Sequence, residues 1–319
     1  MVLCLVAACA RESDADPPGD RGDRDEVVEQ DPPVSEQPTR DAATALDARI
    51  DPPREASAPR LDAASDAEAP AVVDSATPPP DDSTLCPVEP IPADVRSRLK
   101  LNAFYTRQAD ADGVPVVGSD APSDDSIHRA CLLILDYTRR PDIHDTAVST
   151  GTYFIMMAKS EKTVDHPPFK YLGDLDWRAR GLGGTPAGIC AEENVLCDRA
   201  TDRWRGESIC VHEFAHTMQL GVYNVLIKDF QTRLNTLFRA ATGAGKWANT
   251  YAGEQPAEYF AEAVQNWYNT NLESARANGV HGPINTRSEL KEYDPELYAL
   301  LAEILPDQPT YRDCYYYDD

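Results

Sequence analysis

Two histidines four residues apart, with a glutamate directly after the first, are the residues of this chain whose types and spacing best suit chemistry. They form the run His212-Glu213-Phe214-Ala215-His216, an H-E-x-x-H pattern. On a helix, residues four apart lie on one face, so both imidazoles can bind one metal ion. Glu213 lies beside them, where it can take a proton from a water molecule that the metal polarises. The pattern predicts a catalytic zinc site.

The flanking residues predict the helix that must position this pattern. Ser208 can cap its first turn, apolar residues recur at helical spacing as far as Met218, and Gly221 is expected to end it. The alternative is a helix with two accidental histidines, but the chain has only six histidines in all. The helical context therefore favours the metal site.

A catalytic zinc ion needs a third protein ligand and an open fourth position. The metzincin extension of the pattern would require Gly at 219 and His at 222, where this chain has Gln219 and Val222. The third ligand must therefore come from elsewhere. A second amphipathic helix is predicted over residues 256–271, with Pro256 in its first turn.

Two glutamates on this second helix, Glu258 and Glu262, lie four residues apart on an otherwise apolar face. Burying two carboxylates is costly unless a cation holds them, and a metal with its histidine ligands would do so. We assign Glu258 as the third ligand, and Glu262 as the acceptor of the ring N–H of a ligating histidine, His212. Glu254 is a weaker ligand candidate because it precedes the proline. A solvated acidic stripe is the alternative to the whole assignment.

These residues resemble a known family. The segments His212-Glu-Phe-Ala-His216 and Tyr251-Ala-Gly-Glu-Gln-Pro-Ala-Glu258-Tyr-Phe-Ala-Glu262-Ala are similar to the catalytic domain of anthrax toxin lethal factor and the related Pro-Pro endopeptidases. That family has H-E-F-G-H, and then a Tyr seven residues before an E-F-F-A-E-A segment. The resemblance covers residues 206–268 well, departs at Ala215, where the family usually has Gly, and elsewhere extends only to architecture.

The resemblance implies an α+β, zincin-like metallopeptidase domain of the gluzincin kind, with a small mixed sheet and an active-site helix. It implies that His212, His216 and Glu258 bind zinc and that Glu213 is the general base. It also implies that the Tyr251 hydroxyl stabilises the oxyanion of a tetrahedral intermediate. Without the resemblance, Tyr251 would be an ordinary aromatic residue at the start of a helix. In such domains the edge strand lies along the substrate cleft, and we expect residues 187–197 to form that edge strand or hairpin.

The amino terminus predicts export. Residues 1–9 are apolar and end in Val6-Ala7-Ala8-Cys9, which resembles a bacterial lipobox. Cleavage before Cys9 and lipidation of that residue would give a cell-envelope lipoprotein on the outer membrane or cell surface, and a secreted protein is the alternative. The basic start of a signal peptide is missing and the apolar run is short, so a misplaced start codon or a chance apolar start also fits.

Residues 10–85 differ in composition from the rest of the chain. They contain no aromatic residue and hold 20 acidic and 7 basic residues, which is −13 of the total net charge of −24. Such a segment cannot bury enough apolar surface to offset its ordering entropy, so we predict a disordered, extended tether. Pro-Pro pairs recur in the tether, and the resembled family cleaves between prolines. We therefore hypothesise that this protein or a sibling cleaves the tether and releases the domain. An intact tail, by mass spectrometry after incubation with zinc, would exclude it.

The remaining residues, 86–319, fit one domain. We expect helices over about 93–105, 226–241 and 288–305 as well, and a buried strand over Gly151–Ala158. Six cysteines in this part suggest up to three disulfides, with Cys190–Cys197 as the most local pair and the other pairings open. Cys210 is expected to be structural rather than a ligand. The other histidines are expected in loops or at the surface: His128, His144, His166 and His281.

Charge restricts the partners of this domain. It carries 34 acidic and 23 basic residues, a net charge of −11, which argues against nucleic acid and against anionic lipid as partners. We expect a peptide or protein substrate, contact with a membrane only through a lipid on Cys9, and a monomer. The predicted function is a zinc metalloendopeptidase. The alternatives are a catalytically silent, zinc-containing surface-binding lipoprotein and a zinc hydrolase of a non-peptide acyl substrate.

Overall fold

The computed structural model describes residues 85–173 and 179–318. The predictions of a lipobox, of a tether and of cleavage at its Pro-Pro pairs lie outside these residues. The described part is a mixed α+β structure built on one six-stranded sheet, which confirms the predicted α+β class. None of its helices is long and apolar enough to cross a membrane.

The sheet has both parallel and antiparallel pairs. Its strand order is β1-β2-β3-β4-β6-β5. The two central pairs, β3 with β4 and β4 with β6, are parallel, and the outer pairs are antiparallel. The strands are β1 (Val88–Pro90), β2 (Arg107–Ala111), β3 (Val114–Gly118), β4 (Tyr153–Met157), β5 (Gly181–Leu182) and β6 (Ala187–Ala191).

Most of the helices follow the sheet in the chain. The bounds are α1 (Ala93–Leu99), α2 (Asp124–Tyr137), α3 (Pro141–Ser149), α4 (Glu192–Val195), α5 (Ile209–Met218), α6 (Asn224–Leu226), α7 (Phe230–Gly243), α8 (Pro256–Trp267), α9 (Arg287–Tyr293) and α10 (Pro295–Ala302). A π-helical turn, Gln219–Tyr223, joins α5 to α6, and a 3₁₀ turn, Tyr251–Gly253, precedes α8.

Strand β4 shows how the sheet separates two apolar layers. All five of its residues are buried, as predicted for this segment. Because side chains alternate across a strand, Phe154 and Met156 pack in the layer that contains α2, α5 and α8. Ile155 and Met157 pack in a smaller layer on the opposite face, with residues of α1. Helix α5, which carries the H-E-x-x-H pattern, therefore lies on the face of the sheet with the larger core.

Several predicted helix bounds were wrong for local reasons. The first helix ends at Leu99 rather than near 105, because Lys100 takes a left-handed conformation with φ of 52°. The predicted helix over 288–305 is two helices, because Pro295 begins α10 and the Asp294 carboxylate caps it. Gly221 does not end the helical segment that begins with α5, since the chain continues through the π-helical turn into α6.

The prediction that residues 187–197 form the edge of the sheet was wrong. Residues Ala187–Ala191 are strand β6, but β6 pairs with β4 on one side and β5 on the other, and the next four residues are helix α4. The edge strand is the glycine-rich segment at Gly181–Leu182. A strand with almost no side chains gives no periodic apolar pattern, so the sequence could not indicate it.

The predicted Cys190–Cys197 disulfide was also wrong. Cys190 pairs with Cys210 at a Cα–Cα distance of 5.3 Å, and Cys197 pairs with Cys314 at 6.1 Å. A third disulfide joins Cys86 and Cys131. Since α4 follows β6 directly, no hairpin brings residues 190 and 197 together. The expectation that Cys210 is structural is confirmed, and its disulfide ties the start of α5 to strand β6.

Candidate metal centre

Helix α5 carries the H-E-x-x-H pattern, as the sequence predicts. Ser208 occupies the N-cap position, but its hydroxyl makes no capping hydrogen bond. The side chain of Asn194, at the end of α4, instead accepts from the Ile209 backbone N–H at 2.7 Å. Phe214 packs its ring on Phe154 of β4, with ring centroids 3.8 Å apart. These contacts hold the helix against the sheet at its start and at its middle.

Helix α8 crosses α5 and brings the predicted third ligand to the two histidines. The Glu258 Oε2 atom lies 3.1 Å from His212 Nε2 and 3.2 Å from His216 Nε2. The two Nε2 atoms are 3.1 Å from each other. The three side chains are buried, and among the described residues they form the one His/Cys/Asp/Glu group able to hold a metal ion.

The spacing of these three atoms fits a small tetrahedral metal ion. Such an ion, with ligand distances of about 2.0–2.2 Å, places its ligand atoms about 3.3–3.6 Å apart. The three observed separations are within a few tenths of an ångström of that range. Two imidazoles and one carboxylate are also a donor set that divalent metal ions accept.

The electrostatics of the three residues favour a positive charge between them. Burial alone would raise the pKa of the Glu258 carboxyl, but the neighbouring His216 and His212 lower this pKa well below its usual value. Burial would likewise lower the pKa of His212, but the neighbouring Glu258 and Glu262 carboxylates raise this pKa well above its usual value. Glu258 is therefore ionised in a buried position beside the two imidazoles, where a bound metal cation would balance its charge.

Glu213 lies beside this group and is also buried. Burial raises the pKa of its carboxyl, against the opposing effect of the two histidines. Its Oε2 atom has no hydrogen-bond partner among the described residues. A buried carboxylate with a free oxygen and a raised pKa suits a group that accepts and returns a proton.

Tyr251 lies over the first histidine. Its ring stacks on the His212 ring, with centroids 6.1 Å apart. Its backbone N–H donates to the Val280 carbonyl at 2.7 Å, which holds the 3₁₀ turn against a later loop. Burial and the nearby carboxylates, Glu258 first among them, raise the pKa of the Tyr251 hydroxyl, which therefore keeps its proton as a hydrogen-bond donor.

Glu262 lies near the ring of His212, as the sequence predicts, but Gln265 also reaches the same ring nitrogen. Its Oε1 atom is 3.4 Å from His212 Nδ1, and its Oε2 accepts a hydrogen bond from Asn271 at 3.1 Å. Gln265 is closer, with its Oε1 2.8 Å from the same Nδ1 atom. Gln265 was not predicted, although it lies seven residues after Glu258 and therefore on the same helix face.

The edge strand β5 and the residues after it pass directly over helix α5. A Cβ atom at Gly181 would lie 2.6 Å from Cγ of Glu213. A Cβ atom at Gly183 would overlap with the Cβ of His216 and lie 3.0 Å from the Glu213 carbonyl oxygen. Only glycine allows this approach, so these glycines bring the chain at β5 next to Glu213 and His216.

Two histidines expected in loops or at the surface lie deeper. His166 is fully buried against Phe104 and Tyr105 on the other face of the sheet. His281 is mostly buried, with its Nε2 3.7 Å from the Glu207 carboxylate. His128 and His144, by contrast, are partly exposed. Neither buried histidine belongs to the metal-binding group.

Comparisons with known proteins identify no relative. No protein-family model matches this chain, and no significant match was found among curated proteins or solved structures. The function of the chain is therefore inferred from the residues and geometry of the site.

Proposed function

We propose that this chain is a zinc-dependent metalloendopeptidase with a zincin-like domain, similar in its site to the lethal factor and Pro-Pro endopeptidase family. The observation that carries the proposal is the group of three ligand atoms 3.1–3.2 Å apart, with the buried carboxylate of Glu213 beside it. A structural metal site would have no need of an adjacent buried carboxylate with an unpartnered oxygen.

In this proposal His212, His216 and Glu258 hold the zinc ion. When bound, zinc supplies Lewis acidity, which polarises a scissile carbonyl and makes a water molecule more acidic. Glu213 accepts the proton of the attacking water and passes it to the leaving amine. The Tyr251 hydroxyl donates a hydrogen bond to the oxyanion that develops on the scissile carbonyl.

The geometry of the sheet supports a peptide as the substrate. Within the described ranges, strand β5 pairs with a strand on one side only, and Gly181 of β5 and Gly183 after it lie against Glu213. An extended peptide could add to this open edge through backbone hydrogen bonds, which would bring its carbonyl groups along the site. We therefore place the substrate along β5 rather than along the segment 187–197.

Export is part of the proposal. Three disulfides stabilise the described domain, and such bonds persist in oxidising compartments outside the cytosol. This agrees with a secreted protein or a lipoprotein attached through Cys9. The acidic composition continues to argue against a nucleic-acid partner.

The test combines zinc stoichiometry with cleavage of a peptide library by the full-length protein and its variants. We expect one zinc per chain and cleavage in the wild type, and zinc without cleavage in Glu213→Gln, because only the proton acceptor is lost. Glu258→Gln should lose zinc and activity. The matched control is Glu254→Gln, since Glu254 is exposed and lies outside α8, and it should retain both.

The other outcomes separate the alternatives. Zinc without peptide cleavage in the wild type would favour the silent binding lipoprotein, or a hydrolase of non-peptide acyl substrates if such substrates are turned over. A wild type that binds no zinc would contradict the site. Zinc should also raise the melting temperature, by an amount equivalent to about 4 kcal/mol at a free zinc concentration of about 1,000 times Kd.

A further inference from the structure

The ring nitrogen of His212 that faces away from Glu258 has two acceptors within reach. Gln265 Oε1 lies 2.8 Å from His212 Nδ1, within the usual range for an N–H···O hydrogen bond. Glu262 Oε1 lies 3.4 Å from the same atom, beyond that range. One ring N–H donates best to one acceptor, so the two side chains are not equivalent.

The surroundings of Gln265 determine which way its amide points. Its Nε2 donates to the Ser208 carbonyl at 3.2 Å and to the Glu207 carboxylate at 3.3 Å. The Ser208 carbonyl oxygen can only accept a hydrogen bond, so the amide nitrogen must lie on its side. The amide oxygen is then left facing His212. Gln265 is fully buried, so no bulk water competes for either end.

An acceptor at Nδ1 selects one form of the imidazole. With the proton held on Nδ1, the Nε2 lone pair faces Glu258 and His216, where the metal ion would lie. A neutral amide does this without adding a carboxylate to a region where Glu207, Glu258 and Glu262 are already buried. Glu262 is held separately by Asn271, at 3.1 Å.

We propose that Gln265 is the positioning residue for the metal ligand His212, holding its Nδ1 proton so that Nε2 faces the metal, with Glu207 and the Ser208 carbonyl fixing the Gln265 amide. The inference rests on the proposed metal site and identifies a residue that acts on it through His212.

The test compares zinc affinity, by competition with a chelator, with the Nδ1–H proton signal of His212 in zinc-loaded, ¹⁵N-histidine-labelled protein. Gln265→Met removes the acceptor and keeps most of the volume. We expect it to weaken zinc binding about 10- to 100-fold and to abolish the slowly exchanging Nδ1–H signal. Glu262→Gln should weaken zinc binding less and leave the signal in place.

A swap variant keeps the proposal testable if Gln265→Met does not fold. In Glu207→Gln with Gln265→Glu, the amide and the carboxyl exchange places, so residue 265 still accepts from His212 and residue 207 now donates to it. We expect this double variant to keep the Nδ1–H signal and to bind zinc more tightly than Gln265→Glu alone. A purely structural role for Gln265 would not predict that recovery.

Two results would overturn the inference while the metal site stands. The first is a folded Gln265→Met variant that binds zinc as tightly as the wild type and keeps the His212 Nδ1–H signal. The second is a folded swap variant that loses both zinc affinity and this signal. A wild type that binds no zinc would overturn the site and the inference together. Zinc binding with the expected variant effects but without peptide cleavage would contradict only the proposed peptidase activity.

Discussion

Burial and neighbouring charges shift the pKa of several side chains of the site. Tyr251 illustrates this, because it lies in a buried position with its ring 6.1 Å from that of His212. Burial and the Glu258 and Glu213 carboxylates raise the pKa of its hydroxyl well above its usual value, so the phenol keeps its proton at neutral pH. A protonated phenol can donate to an oxyanion, whereas a phenolate would repel it.

The first prediction follows from this donor. Tyr251→Phe should lower kcat about 10²- to 10³-fold, because one oxyanion donor is lost, with little change in KM or zinc content. Steady-state kinetics on a peptide substrate, with metal analysis, would measure this.

The matched control for this prediction is Tyr259→Phe. The Tyr259 hydroxyl is also buried but donates to the Asp294 carboxylate at 2.7 Å, away from the ligands. Its loss should lower stability by about 1–3 kcal/mol and leave kcat unchanged. Equal kcat values for Tyr251→Phe and the wild type would contradict the catalytic role of Tyr251.

At the scale of the elements, the site depends on how closely the edge of the sheet approaches α5. Helix α5 is joined to β6 by the Cys190–Cys210 disulfide, and its other side packs on α8, which carries Glu258. The segment that begins with β5 covers the helix through glycines. The position of His216 and Glu213 is therefore determined by three elements that are separate in the sequence.

The second prediction concerns this approach. Gly183→Ala should destabilise the protein by about 1–3 kcal/mol and weaken zinc binding, because its Cβ would overlap with the Cβ of the ligand His216. Denaturant unfolding and zinc titration would measure the two effects.

The control for this prediction is Gly243→Ala. Gly243 is the last residue of α7, and a Cβ there would meet no atom within 4 Å. We expect it to be neutral or to stabilise by up to about 1 kcal/mol. Similar losses of stability in both variants would show that close packing at β5 is not the cause.

At the scale of the whole molecule, stability depends on polar groups on the face of the sheet opposite the site. Glu161 accepts hydrogen bonds from Ser119 and from the Ala158 backbone N–H, and lies 3.5 Å from the buried His166. Burial alone would raise the pKa of Glu161, but these partners, His166 first, lower it to about 2 from 4.5. The folded state therefore holds this carboxylate in its ionised form more strongly than the unfolded state does.

The third prediction is the resulting pH dependence of the free energy of unfolding. A carboxyl whose pKa is lower when folded stabilises the protein above its unfolded pKa, and that stabilisation is lost as the pH falls from about 4.5 to about 2. Glu161→Gln should remove at most about 3 kcal/mol of this dependence, because solvent screens part of the interaction. Urea unfolding of both proteins at a series of pH values would measure it, and parallel curves would contradict it.

The chemistry of the site could be predicted from the sequence because it depends on spacing within single helices. Residues four apart on α5, and Glu258 with Glu262 on α8, lie on one face of a helix whatever its surroundings. The structure brings His212, His216 and Glu258 together as predicted. The buried strand β4 was equally predictable, since its apolar run has β-forming residues.

The contacts that these helices make with other segments were determined by the tertiary structure alone. Which cysteines pair depends on how β6 and α4 are arranged, and Cys190 and Cys197 are close in sequence but have other partners. The edge strand β5 could not be predicted, because the glycine-rich segment that contains it has no apolar pattern. The close approach of α5 is what requires glycine at 181 and 183. Gln265 became distinct from Glu262 only through the 2.8 Å and 3.4 Å distances to His212 Nδ1. The sequence thus predicted which residues could hold a metal ion, because helical periodicity is local, whereas contacts between distant segments determined their partners.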